Sequence, residues 1–171
     1  ELGRSPLIKT HVPLAAEAVP LIAHAAIRNR GTIGGSLAFA DPAAELPCVA
    51  VALEAQIVAA SDKGERRIAA AQFFTGLYET ALNEGELIAA IEFPKVKAGE
   101  RATIVELARR IGDYAMAGLA LRLGFDRDIV VDSRIVCFGV GVTPVLAKAT
   151  MARLTGLSLT PQTVPQIAAA L

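Results

Sequence analysis

The sequence has few of the residues that build metal centres and disulfide frameworks. Its 171 residues include two cysteines, Cys48 and Cys137, and two histidines, His11 and His24. The cysteines lie far apart and match no Cys-x-x-Cys spacing, and neither histidine has a second nitrogen or sulfur ligand nearby in the sequence. We therefore expect two buried, reduced thiols and no metal site.

The sequence also has no net charge and no long apolar run. Lys+Arg and Asp+Glu total 17 each, so no broad basic field is present to hold nucleic acid or an anionic membrane. No apolar run approaches the roughly 20 residues needed to cross a bilayer. The partner is therefore expected to be a small molecule or a protein, and 53% hydrophobic residues suffice for the core of one domain or two small ones.

Local signals in the first part of the chain predict short helices. The apolar spacing over residues 11–25 predicts one helical segment, which Pro20 should interrupt or kink. Asp41 and Pro42 are a typical cap and first position, and they predict a single helical turn at residues 43–46. The next elements are predicted as a helix followed by a strand over residues 48–60, a turn at 61–65 and the second strand of a hairpin at 66–69.

A change of character after residue 70 predicts a domain boundary, with a first unit at 1–70 and a second at 71–171. Three late strands joined by short turns predict an antiparallel meander backed by helices, so the predicted fold class is α+β. The second unit is predicted to contain a loop or short helix at 72–78, strands at 86–93, 104–110, 115–125 and 129–142, a helix opened by Thr143 and Pro144 that runs to about 154, and a last helix at 163–171.

The most informative stretch is residues 27–37, which read Ile-Arg-Asn-Arg-Gly-Thr-Ile-Gly-Gly-Ser-Leu. Paired glycines such as Gly34 and Gly35 take positive φ readily and let a ligand approach bare backbone amides. The hydroxyls of Thr32 and Ser36 add neutral donors on either side. This pattern predicts a loop that binds a phosphate group, and the alternative is a tight turn without a ligand.

Two common nucleotide motifs do not fit this stretch. It lacks the Gly-Lys-Ser/Thr ending of a P-loop, so nothing supplies the lysine and the magnesium ligand for nucleotide hydrolysis. The spacing of Gly31, Gly34 and Gly35 also differs from the Gly-x-Gly-x-x-Gly pattern of dinucleotide-binding folds. The loop is therefore of another class.

Several motifs in order along the chain identify that class. Residues 27–46 end in Ala-Asp-Pro-Ala-Ala-Glu-Leu, and they are followed by Phe-Phe-Thr-Gly at 73–76, Ile-Glu-Phe-Pro at 91–94 and Ala-Arg-Arg-Ile-Gly-Asp-Tyr-Ala at 108–115. Together they cover nearly the whole chain. This set resembles the FAD-binding (medium) subunit of the aerobic carbon monoxide dehydrogenase and xanthine dehydrogenase family of molybdenum hydroxylases.

The resemblance implies a fold and a cofactor. It implies the second half of a PCMH-type FAD-binding domain, followed by a small C-terminal domain with a three-stranded antiparallel sheet and helices. The family's first half carries a second phosphate loop of the Ala-Gly-Gly-x-Ser kind, which is absent from this sequence. Because the chain also begins at Glu1 without an initiator methionine, we expect its natural start to be missing.

The resemblance also implies an oxidoreductase subunit that works in a complex. Electrons would pass from an iron–sulfur small subunit, fed by a molybdopterin large subunit, through FAD to an external acceptor. A hetero-oligomer is implied, of the dimer-of-heterotrimers kind, located in the cytoplasm either free or at the inner face of the membrane. No catalytic residue is expected beyond flavin electron transfer. The alternatives are an interaction module that binds no flavin and a site for another phosphate ligand.

The resemblance assigns the glycine stretch to the FAD pyrophosphate. The family's Thr-Ile-Gly-Gly motif carries over to five residues here, of which the last is often Asn or Asp in relatives. These are Thr32, Ile33, Gly34, Gly35 and Ser36.

Two further residues match family positions near the cofactor. Glu45 matches an acidic position facing the ribityl or pyrophosphate region, and its alternative is an ordinary acid in the first turn of a helix. Tyr114 matches an aromatic position near the isoalloxazine, and its alternative is a strand residue packed in the small sheet. Arg109 and Arg110 are candidates for steering an anion, but neighbours in a strand point to opposite faces, so at least one should be merely solvated.

Overall fold

The computed structural model describes residues 2–110 and 112–169. Ile111 of the 108–115 motif and the end of the helix predicted at 163–171 lie outside the described residues. The helices are α1 (Pro6–His11), α2 (Pro13–Ala18), α3 (Ala25–Arg28), α4 (Ile33–Phe39), α5 (Glu45–Ala52), α6 (Ala70–Phe73), α7 (Lys148–Leu154) and α8 (Thr163–Ala168), with 3-10 turns at Leu2–Arg4 and Val19–Leu21. The strands are β1 (Gln56–Ser61), β2 (Gly64–Ala69), β3 (Phe74–Gly76), β4 (Glu79–Thr80), β5 (Leu87–Glu92), β6 (Glu100–Ala108), β7 (Ala115–Asp126), β8 (Ile129–Phe138) and β9 (Val145–Leu146).

The prediction of one helix over residues 11–25 is wrong, but the predicted interruption at Pro20 is confirmed. Helix α1 ends at His11, α2 begins at Pro13, and a 3-10 turn that contains Pro20 follows α2. Proline has no amide hydrogen and fixes its own φ, so it opens a helix well but interrupts one that precedes it. The apolar spacing is correct, because Leu14 and Ala15 are buried, but the prolines divide the backbone.

Helix α5 is the centre of the fold. All eight of its residues are buried, which matches the apolar run that predicted a helix followed by a strand. The thiol of Cys48 donates to the carbonyl oxygen of Val136 across 3.2 Å, so the helix lies directly on β8. Cys48 is buried, Cys137 is half-buried, and both are free thiols.

The first sheet has the order β2-β1-β5, with antiparallel pairs. The predicted hairpin is confirmed, since β1 and β2 pair from Gln56 with Ala69 to Ser61 with Gly64. Strand β5 then pairs with the other edge of β1. Thus a strand from the second predicted unit completes a sheet of the first, while the predicted boundary after residue 70 stays a prediction.

The second sheet has the order β6-β7-β8-β9, and all its pairs are antiparallel. The predicted three-stranded meander is confirmed by β6, β7 and β8. A short strand, β9, adds a fourth by pairing Leu146 with Val136. The helix predicted to start at Thr143 and Pro144 is therefore wrong at its beginning: β9 comes first, and α7 starts only at Lys148.

One continuous core joins the two sheets. Helices α2 and α5 contribute to it from one side, and Ile104, Ala120, Val136 and Phe138 from the inner face of the second sheet. A smaller cluster on the other face of that sheet packs Leu154 of α7 against its strands. In the described part of the chain, no helix is long and apolar enough to span a membrane.

A buried arginine strengthens the contact between the halves. Arg122 of β7 is 8% exposed and donates to Glu54 at 2.9 Å, Glu100 at 3.1 Å and Asp132 at 2.9 Å. Glu54 lies in the turn after α5 and also pairs with Arg134 of β8 at 3.0 Å. Because Glu54 comes from the first half and the other members from the second sheet, this ion network ties the two together.

Candidate functional site

The predicted phosphate loop is the start of helix α4. Thr32 is its N-cap: the Thr32 Oγ1 accepts a hydrogen bond from the Gly35 amide at 2.9 Å, and the Thr32 carbonyl accepts from the Ser36 amide at 3.0 Å. Gly34 and Gly35 are therefore helical, and they do not use the positive φ that glycine permits. Threonine is a common N-cap residue that accepts a hydrogen bond from the amide three positions later, so Thr32 was a sequence signal for a helix that starts here.

The two glycines serve the site through their missing side chains. A Cβ placed on Gly34 would meet nothing within 4 Å, so the space beside this residue is open. A Cβ on Gly35 would lie 3.0 Å from Thr32 Oγ1 and would crowd the cap. The amides of Ile33 and Gly34 precede the first intrahelical hydrogen bond. These two amides are therefore available to bind an anion. Gly34 has no side chain that would shield them.

The segment after α4 is held by polar contacts. Ala40 ends the helix in the left-handed region at φ 53°. Asp41 does not cap a helix at residues 43–46 as predicted: its Oδ1 accepts from the Ala43 amide at 2.9 Å, and α5 begins at Glu45 with Ala44 as N-cap. A short side chain that bonds the amide two residues ahead forms a turn of its own, which delays the helix.

Glu45 is an unusual first-turn acid because it is buried. It is 8% exposed, and it lies in the first turn of α5, which packs against α4. The pKa of its carboxyl is raised to about 7, mainly by burial and to a smaller extent by the charges of Glu106 and Asp41, against a backbone hydrogen bond that lowers it. Glu45 therefore has the first-turn position of the simpler alternative, and it is also buried.

Glu106 is a member of this group that the prediction missed. It lies on β6 two residues after the buried Ile104, so it occupies an inward position of an alternating strand. Its Oε2 is buried and has no hydrogen-bond partner in the described chain, and burial raises its pKa. A charged residue at an inward position of a strand was the sequence signal that could have found it.

Tyr114 lies in the turn between β6 and β7. Its side chain is 76% exposed and β7 begins at Ala115, so the alternative of a strand residue packed in the sheet is wrong. Strand β6 ends at Ala108, which places Arg109 and Arg110 in the same turn, both exposed. The argument that one of them must face away as a strand neighbour therefore does not apply.

The structure places five of the seven predicted site residues in one turn and a sixth on a helix that packs against it. Thr32, Ile33, Gly34, Gly35 and Ser36 share the start of α4, and Glu45 lies on the helix that packs against α4. The turn of Tyr114 is a separate element. Its Gly112 lies against His24, which precedes α3, so it contacts the segment that leads into α4.

Comparison with known proteins gives this geometry a family. Residues 1–96 match the family described as "FAD binding domain in molybdopterin dehydrogenase", and residues 102–171 match the "CO dehydrogenase flavoprotein C-terminal domain". The chain is 41% identical over 146 residues to the 6-hydroxypseudooxynicotine dehydrogenase complex subunit alpha of Paenarthrobacter nicotinovorans, covering 85% of this chain and 49% of that protein. It is 35% identical to the carbon monoxide dehydrogenase medium chain of Hydrogenophaga pseudoflava, covering 96% and 57%.

Solved structures of related enzymes superpose on nearly the whole chain. Carbon monoxide dehydrogenase from Hydrogenophaga pseudoflava, in a form that lacks the Mo-pyranopterin moiety, superposes with a TM-score of 0.94 at 38% identity, covering 99% of this chain and 59% of that chain. Quinoline 2-oxidoreductase from Pseudomonas putida 86 gives 0.91 at 33% identity, covering 98% and 58%. The chain spans about half the length of the curated relatives it matches.

The two family matches cover residues 1–96 and 102–171, and the first includes the capped glycine turn of α4. They confirm the predicted fold class and the resemblance drawn from the motifs. The chain therefore belongs to the family of FAD-binding domains of molybdopterin dehydrogenases, followed by the C-terminal domain of carbon monoxide dehydrogenase flavoproteins.

Proposed function

We propose that the chain is part of the FAD-binding electron-transfer subunit of a molybdenum hydroxylase, which passes electrons from an iron–sulfur subunit through FAD to an external acceptor. The observation that carries this proposal is the open, capped glycine turn of α4, found inside a match to an FAD-binding family. FAD, when bound, supplies the redox chemistry that amino-acid side chains lack.

The residues at the start of α4 fit a pyrophosphate. Thr32 fixes the first turn, Gly34 leaves open space beside it, and the amides of Ile33 and Gly34 remain available to phosphate oxygens. Gly35 allows the threonine cap to form, and the half-buried hydroxyl of Ser36 adds a neutral donor. We assign the pyrophosphate of FAD to these five residues.

Glu45 and Tyr114 are assigned to other parts of the cofactor. A protonated, buried Glu45 is able to donate as well as accept, which suits the hydroxyl groups of a ribityl chain. Tyr114, with most of its ring exposed, is free to cover the face of an isoalloxazine. Its phenol then controls how closely an electron acceptor approaches.

The partners follow from the same proposal. Relatives carry names such as "medium chain" and "subunit alpha" of dehydrogenase complexes, which supports an assembly with an iron–sulfur small subunit and a molybdopterin large subunit. A hetero-oligomer such as a dimer of heterotrimers, in the cytoplasm or at the inner face of the membrane, fits this assembly. The relatives' names range from carbon monoxide to caffeine and xanthine, so the substrate is expected to be determined by the molybdopterin subunit.

A visible spectrum tests the proposal. The subunit that contains this chain is purified, and its absorption is recorded before and after incubation with FAD and removal of the unbound cofactor. We expect flavin bands that stay with the protein. A colourless protein that retains no added FAD would contradict the proposal and would favour an interaction module that keeps the fold without the cofactor.

A further inference from the structure

The segment that leads to α3 is pinned by an arginine. Ala23 lies in the left-handed region at φ 38°, and the Nη1 of Arg28 donates to the carbonyl oxygens of Ile22 at 2.7 Å and Ala23 at 2.6 Å. Arg28 ends α3, only four residues before the cap Thr32. The position of His24, which directly follows Ala23, is thus fixed relative to the start of α4.

The turn of Tyr114 rests on this pinned segment. Gly112 has φ 87°, and a Cβ placed on it would lie 2.5 Å from both Cε1 and Nδ1 of the His24 ring and 3.0 Å from the Ala23 carbonyl oxygen. The glycine backbone therefore lies directly against the ring, and a side chain at this position would force the ring to move. Tyr114 follows two residues later.

The backbone after Tyr114 is also linked to the segment that follows α4. Gly139, at φ 75°, would place a Cβ 3.0 Å from the Ala115 carbonyl oxygen, so the two backbones are in close contact. The amide of Gly139 donates to the carbonyl of Pro42 at 2.8 Å. Pro42 lies just after α4, as His24 lies before it. The backbone on each side of Tyr114 is thereby tied to a segment that flanks the phosphate turn.

We propose that His24 is a positioning residue for Tyr114: its ring, seated on Gly112, sets the place of Tyr114 relative to the phosphate turn at Thr32–Ser36. The functional consequence, correct placement of the phenol on the flavin, rests on the proposed function. The placement itself does not require the cofactor. Loss of the ring is expected to release the turn on its His24 side while the Gly139 side keeps the fold intact.

Fluorine NMR of the subunit labelled with 3-fluorotyrosine tests the placement without FAD. This chain has two tyrosines, Tyr78 and Tyr114, and the resonance of Tyr114 is assigned by its loss in Tyr114→Phe. We expect His24→Ala to shift the Tyr114 resonance and to leave that of Tyr78 in place. His24→Phe, which keeps a ring, should restore the shift in part. His11→Ala is the matched control and should move neither resonance.

A second substitution approaches the same contact from the other side. Gly112→Ala directs a methyl group into the His24 ring and is expected to shift the Tyr114 resonance, and adding His24→Ala should bring it part of the way back. A Tyr114 resonance that stays unmoved in both His24→Ala and Gly112→Ala would overturn the proposal.

Visible circular dichroism of the FAD-loaded subunit tests the consequence. We expect His24→Ala to change the flavin signal in the direction of Tyr114→Ala and to have no further effect when Tyr114 is already Ala, since two residues that act as a unit are not additive. A His24→Ala effect that persists in the Tyr114→Ala protein would contradict a role through Tyr114. A resonance shift in a subunit that binds no FAD would support the positioning and overturn the proposed function instead.

Discussion

Replacing Glu45 by glutamine removes a buried carboxyl whose proton is linked to folding. The carboxyl is 8% exposed, and the pKa rises from an ordinary 4.5 to about 7, first through burial and then through the charges of Glu106 and Asp41. Glutamine has nearly the shape of the protonated side chain and never ionises. The substitution therefore removes the ionisation without opening a cavity.

The sign of the effect follows from the two pKa values. Below pH 4.5 the carboxyl is neutral in the folded and unfolded protein, and Glu45 carries no penalty. Between pH 4.5 and about 7 the unfolded chain ionises first, so the stability of the wild type falls as the pH rises. One pKa unit is worth about 1.4 kcal/mol, so the full loss is about 3 kcal/mol and is complete above pH 7.

Urea unfolding of the FAD-free protein at pH 4, 6 and 8 measures this effect. Glu45→Gln should match the wild type at about pH 4 and exceed its free energy of unfolding by about 3 kcal/mol at about pH 8. Glu86→Gln is a control, because the side chain of Arg66 and the amide of Asn83 lower the pKa of Glu86 to about 2. The contribution of Glu86 is lost only as the pH falls below 4.5, so its difference from the wild type should be flat between about pH 5 and 8.

A Glu45→Gln protein that is less stable than the wild type at pH 8 would refute this reasoning. It would mean that the carboxyl is ionised and paired in the folded state, contrary to the geometry around α5. A constant difference at all three pH values would refute it as well, since a group whose pKa does not change on folding contributes no pH dependence.

Two other substitutions test the ion network and the cap. Arg122→Leu leaves Glu100, whose side chain is only 10% exposed, with the Lys97 amide but without its charged partner, and should lower the free energy of unfolding by about 3 kcal/mol. The control Arg67→Gln breaks an exposed pair with Glu92 and should have little effect, and equal losses in the two urea curves would contradict a special role for Arg122. Thr32→Ala removes the bond to the Gly35 amide and should cost about 1 kcal/mol, with Thr32→Ser close to the wild type. An unchanged urea midpoint in Thr32→Ala would show that the cap does not stabilise α4.

The regular elements were predictable where one signal dominated. The apolar run over residues 48–60 is long enough for a helix and a strand, and the alternating exposure along β6 is typical of a half-buried strand. The hairpin of β1 and β2 follows from a polar turn between two short runs. Errors arose where two local signals competed. At residues 11–25 the apolar spacing favours one helix, whereas Pro13 favours the start of a new helix.

Strand pairing explains the error at the start of the helix predicted from Thr143. Thr143 and Pro144 are typical of a helix start, but Val145 and Leu146 gain two strand partners in β8, and the helix begins only afterwards. The residues at the predicted helix start do not show by themselves that β8 lies beside them. The tertiary contact therefore overrides the local preference.

The residues at Thr32–Ser36 stay predictions as cofactor contacts, whereas the backbone geometry of this stretch is a finding of the structure. The sequence indicated that the two glycines of α4 can take positive φ, and the structure instead shows a helical turn in which Gly34 leaves open space and Gly35 makes room for the cap. The contact of His24 with Gly112 joins residues 88 positions apart in the sequence, and the spacing of motifs gives no information on it. Glu45 and Tyr114 stay predictions as cofactor contacts.

The affinity of the glycine turn for FAD is the most direct test of the central claim. The dissociation constant is measured for the subunit that contains this chain, as wild type, as Gly34→Val and as the control Ala26→Val, an exposed position in α3. A side chain at Gly34 fills the open space beside the free amides, and a lost hydrogen bond to a charged group costs about 1.5–3 kcal/mol, so Gly34→Val should weaken binding at least about tenfold. Ala26→Val should bind as the wild type does. Equal affinity of Gly34→Val and the wild type would contradict the account.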